Sequence, residues 1–268
     1  MTSNYNASNT NCIISSVANT ALVFNVGDGI DFKATQPQNC VNGITINAAT
    51  GNSASELFGS LFNDIINGNG GENNINGLDG NDQIFGLDGR DIINGGVGDD
   101  HIIGGAGRDT IDGGPGVDKL NFNHKGANYI GTHADDLSIG AGDIFKFWDT
   151  ADMPLNGNVS KQYIQGTQAI LKNANIADTK NIFVVNSSVA QTVTAMDAVV
   201  DDIAVGAQVA LGTTGSIWIT GATGDTFNIW WVGDHASVDP ASNYLLLANT
   251  NIAFANSARF TTAAFEVV

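Results

Sequence analysis

Residues 95–121 read GGVGDDHIIGGAGRDTIDGGPGVDKLN: one nine-residue word, Gly-Gly-x-Gly-x-Asp-x-Ile/Leu-x, written three times without a break. Followed upstream, the frame holds over seven copies, starting at Gly59, Gly68, Gly77, Gly86, Gly95, Gly104 and Gly113. Position six reads Asp64, Asn73, Asp82, Asp91, Asp100, Asp109 and Asp118, and position eight reads Ile66, Ile75, Ile84, Ile93, Ile102, Ile111 and Leu120. A helix is excluded, because each glycine in a helix interior costs about 1 kcal/mol. The physical alternative is a coil of very short strands and turns. Glycine reaches positive φ without penalty and turns the chain. The last three residues of each word extend, and the position-eight aliphatic points inward to stack on its counterparts. With two words to a turn, Ile66, Ile84, Ile102 and Leu120 form one column, and Ile75, Ile93 and Ile111 the other. A weaker upstream copy places Leu57 in the same ladder.

Seven aliphatic side chains are a thin core for some sixty ordered residues. Charge makes the balance worse, since segment 59–121 carries eleven acidic residues against three basic ones. Stacked aspartates repel one another unless something positive sits between the turns. A hard cation meets the difficulty, because carboxylates and turn carbonyls are its preferred ligands. The word therefore spells a turn, a cation ligand and a core residue.

The segment resembles the RTX (repeats-in-toxin) family, whose nonads form a calcium-loaded parallel β-roll, a solenoid. The resemblance implies that each calcium lies between a loop and the loop two words further on. The first loop would give its position-two and position-four carbonyls and its position-six carboxylate. The second would give its position-one and position-three carbonyls and its own carboxylate. Carried over, one site is Leu78, Gly80 and Asp82 with Gly95, Val97 and Asp100. A second is Leu87, Gly89 and Asp91 with Gly104, Ala106 and Asp109. A third is Gly96, Gly98 and Asp100 with Gly113, Pro115 and Asp118. Two earlier sites depart from the pattern. Ser60, Phe62 and Asp64 with Gly77, Asp79 and Asp82 lacks two of the glycines. Asn69, Gly71 and Asn73 with Gly86, Asp88 and Asp91 offers a neutral oxygen at Asn73. The complete loops imply about three calcium ions, and about five or six if the imperfect loops count. Because Asp100 would serve two ions, loading is expected to be cooperative and coupled to folding.

The rest of the chain reads as β-rich, so the expected fold is all-β. Residues 1–58 hold short apolar runs such as TALVFNV and GITINAA and are expected to cap the roll, as solenoids require. Residues 59–121 are the roll. Residues 122–268 carry DIFKFWD, NIFVVN, GSIWITG, TFNIWWVG and NYLLLAN, strand-forming runs between turn signals, and are expected to form a C-terminal β domain. One stretch, TVTAMDAVVDDIAVG at 192–206, is compatible with a short helix. Cys12 and Cys40 leave a disulfide or two free thiols equally open.

Composition bounds the partners. Ten Lys and Arg against 27 Asp and Glu give a net charge of −17, which repels nucleic acid and anionic lipid and gathers cations. No run of about 18 apolar residues suggests a membrane span, and the N-terminus has no basic and apolar leader. The chain closes on Phe265, Glu266, Val267 and Val268, an acid before terminal hydrophobics, similar to the C-terminus of RTX proteins exported by type I (ABC) secretion. The resemblance thus implies a bacterial protein that is secreted, extracellular or attached to the cell surface, with self-assembly or cell-surface and polysaccharide contact as its expected partners.

No HExxH zinc signature, GxSxG nucleophile elbow or P-loop is present. His101, His124, His133 and His235 read as scattered polar residues, although His124, His133 and Asp136 could gather a transition metal. Asp143 with Asp149, and Asp201 with Asp202, are candidate carboxylate pairs for glycoside hydrolysis. Solvated charge or extra calcium ligands is the simpler assignment. Trp230 and Trp231 could form a sugar platform, with burial in a core as the default. The expectation is a non-enzymatic structural or surface protein. The alternatives are an extracellular hydrolase with an unrecognised site in 122–268 and a diffusible membrane-active protein.

Overall fold

The structure is a computed structural model that describes residues 22–27, 32–33, 43–122, 135–138, 143–147, 163–166, 182–186, 216–221, 227–233, 244–250 and 265–267. The described residues form strands and turns, with no helix among them, in two compact units. The stretch 192–206, compatible with a short helix, and Cys12 and Cys40 lie outside the described residues. The first unit falls within Met1–Asn123 and Ser138–Phe145, and the second within His124–Leu137 and Lys146–Val268.

The first unit is a parallel β-solenoid. One ladder runs β1 (Leu22–Val26), β3 (Ile44–Ala48), β5 (Ile65–Asn67), β7 (Gln83–Asp88), β9 (His101–Ala106) and β11 (Lys119–Phe122). The other runs β2 (Phe32–Lys33), β4 (Ser55–Phe58), β6 (Asn73–Asp79), β8 (Ile92–Val97) and β10 (Thr110–Asp112). Within the repeat the register is two words: Ile66 pairs with Ile84, Ile84 with Ile102 and Ile102 with Leu120. On the facing ladder Leu57 pairs with Ile75, Ile75 with Ile93 and Ile93 with Ile111. All eight are buried. The two columns expected from the nine-residue spacing are therefore the core of a β-roll, and Leu57 joins the second.

Upstream of the repeat the same ladders continue. Phe24 pairs with Ile46 and Ile46 with Ile66, all three buried. The turns there are longer than two words, but the inward position recurs each time the chain returns. Outside this column, the Asn67 side-chain amide donates to Asn47 at 2.8 Å and that of Asn47 to Asn25 at 3.1 Å, a short amide ladder of the kind that pins parallel register.

The second unit contains a mixed sheet in the order β14 (Tyr163–Gly166), β15 (Ile182–Asn186), β16 (Ser216–Gly221), β17 (Asn228–Val232), β18 (Tyr244–Thr250) and β12 (Asp135–Ser138). β15 and β16 are parallel, β17 is antiparallel to both its neighbours, and β12 and β18 are parallel. Ile182, Phe183, Val184 and Val185 are all buried, as are Ile217, Trp218 and Ile219, so these central strands are covered on both faces. Phe183 stacks on Trp218 with ring centroids 4.3 Å apart. Trp230 is buried with its indole N–H donating to Thr220 Oγ1, and Trp231 is half-buried. The pair thus divides between core and rim instead of offering a flat aromatic platform.

Candidate metal centre

The extended part of each word is longer than the three residues expected: β7, β8 and β9 run on through position three of the next word, and the short turns between strands set the position-six side chains in two rows. Five position-six amides are each capped by the carboxylate one full turn later. Asp64 N–H donates to Asp82 Oδ1, Asp82 N–H to Asp100 Oδ1 and Asp100 N–H to Asp118 Oδ1, at 2.7 to 2.9 Å. On the other row Asn73 N–H donates to Asp91 Oδ1 and Asp91 N–H to Asp109 Oδ1. Backbone bonds lock the same step, as from His101 N–H to the Asp82 carbonyl and from Lys119 N–H to the Asp100 carbonyl.

These bonds use one carboxylate oxygen. The other, Oδ2, of Asp82, Asp91, Asp100 and Asp118 is buried and accepts no hydrogen bond, although all four residues are at most 1% exposed. A buried anionic oxygen without a partner costs free energy unless a proton or a cation meets it. The glycine at position one shows what surrounds it. A Cβ on Gly95 would lie 2.4 Å from Asp100 Oδ2 and 2.6 Å from the Gly113 carbonyl oxygen. The same paired approach recurs at Gly77, with Asp82 Oδ2 and the Gly95 carbonyl, and at Gly86, with Asp91 Oδ2 and the Gly104 carbonyl. A carboxylate oxygen of one loop and a position-one carbonyl of the loop a turn later thus line a common space that a side chain would fill.

The remaining carbonyls follow the coil axis. Those of Leu78 and Gly80 face Gly96 and Gly98, those of Leu87 and Gly89 face Gly105 and Gly107, and those of Gly96 and Gly98 face Gly114 and Gly116. Gly80, Gly89 and Gly98 N–H donate to the carbonyls of Val97, Ala106 and Pro115. Leu78 and Leu87 stand at φ 81°, a left-handed conformation that costs a branched side chain free energy. Among the described residues no group of three or more His, Cys, Asp and Glu side chains converges. The donors on offer are pairs of carboxylates with turn carbonyls, the oxygen-only set suited to a hard divalent cation.

The two earlier loops differ. Asp64 is saturated by the protein: Ser60 Oγ and Ile44 N–H donate to Oδ1, and Ser60 N–H donates to Oδ2. The Asn73 amide donates to Asn69 Oδ1 and to the Gly71 carbonyl, while Asn69 N–H donates to Asn73 Oδ1. Each loop closes on itself through a hydroxyl or an amide. Phe62 presents its carbonyl to Gly80, and the side chains of Asp79 and Asp88 are exposed.

Burial pushes the carboxyl groups up. That of Asp82 reaches about 8, with the charges of Asp64, Asp100 and Asp79 adding to desolvation and the bond from Asp64 N–H opposing it. Asp91 and Asp118 are raised to about 7 and Asp100 and Asp109 to about 6, burial being the leading cause each time. Asp64 is also raised by burial, against the bonds from Ser60 and Ile44.

The family model of the RTX calcium-binding nonapeptide repeat, four copies, matches residues 50–84, 58–93 and 85–120. Residues 50–120 are RTX calcium-binding repeats. This RTX array spans about a quarter of the chain, and its pattern of orphaned oxygens fits calcium. No curated protein matches the chain. The described residues contain no helix long and apolar enough to cross a membrane.

One residue with a place in the rows reads from sequence as half of a carboxylate pair or, more simply, as solvated charge or an extra calcium ligand. Asp143 is buried, and its Oδ1 accepts from Asp118 N–H at 3.2 Å. Ile144 N–H donates to the Asp118 carbonyl, and Phe145 is buried like a position-eight residue. Asp143 therefore stands in line with the position-six aspartates of the repeat. The signal was present as Gly140-Ala141-Gly142-Asp143-Ile144-Phe145, a shortened word with the Asp and the inward apolar residue at their usual separation. Asp149, Asp201, Asp202, His124, His133 and His235 lie outside the described residues.

Proposed function

We propose that the chain is a secreted, non-enzymatic protein whose RTX array folds as calcium is bound, and that it serves as a structural, surface-associated component of adhesin, matrix or surface-layer type. The observation that carries the calcium reading is the set of buried, partnerless Oδ2 atoms of Asp82, Asp91, Asp100 and Asp118. Leu78, Gly80 and Asp82 with Gly95, Val97 and Asp100 would hold one ion. Leu87, Gly89 and Asp91 with Gly104, Ala106 and Asp109 would hold a second, and Gly96, Gly98 and Asp100 with Gly113, Pro115 and Asp118 a third. Bound calcium supplies the positive charge that lets the facing carboxylates stay ionised. The chain's own carbonyls replace the ion's water and tie each loop to the next turn.

Export by a type I route would make calcium a folding signal. An array with an assumed affinity of about 10⁻⁴–10⁻³ M, the range of extracellular modules, is empty in the cytosol and filled outside. Apolar side chains on the outside of the roll, among them Ile92 and Val97 at 56% and 54% exposure, offer surface for self-assembly or attachment. Circular dichroism and size-exclusion chromatography of the full chain, in chelator and in millimolar calcium, test the proposal. The expected result is a gain of sheet and a calcium-dependent assembly. Equal sheet content and melting point in both conditions would remove the calcium reading. A strictly monomeric calcium form would remove the assembly role.

A further inference from the structure

We propose that Asp118 and Asp143 hold a divalent cation of their own, at a turn beyond the recognised repeats. This inference rests on the calcium reading of the array and extends it past residue 120, where the family match ends.

Three observations converge. Asp118 is fully buried and its Oδ2 has no partner. That oxygen would stand 2.3 Å from a Cβ on Gly113, the same placement that Asp82 and Asp100 Oδ2 have against Gly77 and Gly95. In those turns the oxygen faces the loop one turn further on. Second, the residue one turn further on from Asp118 is again an aspartate. Asp143 is 3% exposed, and it repeats both bonds of the row, the carboxylate cap on the Asp118 amide and the Ile144 N–H bond to the Asp118 carbonyl. Third, the spacing shows why the turn escapes a repeat pattern. The step from Asp118 to Asp143 is 25 residues, against 18 for Asp100 to Asp118. The insertion lengthens the loop but leaves the return register unchanged.

Two buried carboxylates stacked in this way repel each other unless an ion lies between them. The donors from this chain would be Asp118 Oδ2, the Asp143 carboxylate and the turn carbonyls of Gly114 and Gly116, which hold the places of Gly96 and Gly98 one turn earlier. The ligand class is a hard, oxygen-seeking divalent cation, calcium-sized because the donors come from flexible turns.

The test is a count of bound calcium. Equilibrium dialysis with atomic absorption is run on the full chain and on Asp143→Asn. The variant is expected to bind one ion fewer while keeping the others, and an unchanged count overturns the proposal. A wild-type chain that binds no calcium defeats the calcium reading of the whole array instead. Anomalous diffraction from wild-type crystals grown in calcium gives an answer that does not depend on the variant folding. Density between Asp118 and Asp143 supports the site. Density at Asp82 and Asp100 without it there refutes the site and leaves the array's function standing.

Discussion

Replacing Asp100 by asparagine separates the cost of its charge from the benefit of its ligand. The Asp100 carboxylate accepts from the Asp82 amide through Oδ1, while Oδ2 is buried without a partner. Without metal its carboxyl stands at about 6 against an ordinary 3.8. At about 1.4 kcal/mol per pK unit, keeping it ionised at pH 8 costs at most about 3 kcal/mol, and about half of that once solvent screening is allowed for. Asparagine keeps the acceptor for the Asp82 amide and carries no charge. Its amide can turn to its own loop, as that of Asn73 does toward Gly71 and Asn69. In chelator at pH 8, Asp100→Asn should therefore shift the folding equilibrium of the array toward the folded form by about 1–3 kcal/mol, seen as more sheet than wild type keeps. In millimolar calcium the order should reverse, because the substitution removes a ligand from two of the three proposed ions. Urea unfolding followed by circular dichroism in both conditions reads the crossing. Destabilisation by the same amount with and without calcium would refute the reasoning and reduce Asp100 to a backbone cap.

The raised carboxyls give the metal-free protein an inverted pH dependence. Their stability contribution is fully present below the ordinary value near 3.8 and is lost as pH rises through about 6 to 8. Melting in chelator should therefore fall from pH 5 to pH 8.5, while calcium affinity measured by calorimetry rises over the same range, with protons released on binding. Gly95→Ala places a methyl against Asp100 Oδ2 and the Gly113 carbonyl; it should lower the calcium count by at least one, as read by dialysis, with the other ions retained. Ile102→Ala empties a fully buried position in the centre of its column. It should cost about 2–5 kcal/mol in calcium-loaded unfolding, without lowering the number of ions bound.

The roll was legible because its period is strict. Nine-residue spacing alone placed Ile66 over Ile84 and Ile75 over Ile93, and even Leu57, one word before the glycines begin, kept its place. Upstream the period fails, since Leu22 pairs with Ile44 at a spacing of 22 and Ile46 with Ile66 at 20. A parallel ladder needs the inward residue to return, not the loop to keep its length, so sequence periodicity underestimates a solenoid wherever its turns vary. For the same reason Asp143 read as solvated charge or an extra calcium ligand without a place in the row. The closure of the Ser60 and Asn73 loops was hidden differently. Ser60 at position two read as a missing glycine, while in the folded turn its hydroxyl satisfies Asp64. Asn73 read as a weaker ligand, while its amide is a donor that a carboxylate lacks.

Along one row, each position-six amide waits for an oxygen that lies later in the chain: Asp64 for Asp82, Asp82 for Asp100, Asp100 for Asp118, Asp118 for Asp143. The backbone answers in the opposite sense, since the amides of His101, Lys119 and Ile144 reach back to the carbonyls of Asp82, Asp100 and Asp118. Each tier is thus fastened to the one before and the one after. Removing a tier from either end strands polar groups on its neighbour, so the stack has no end from which it can be shortened without cost.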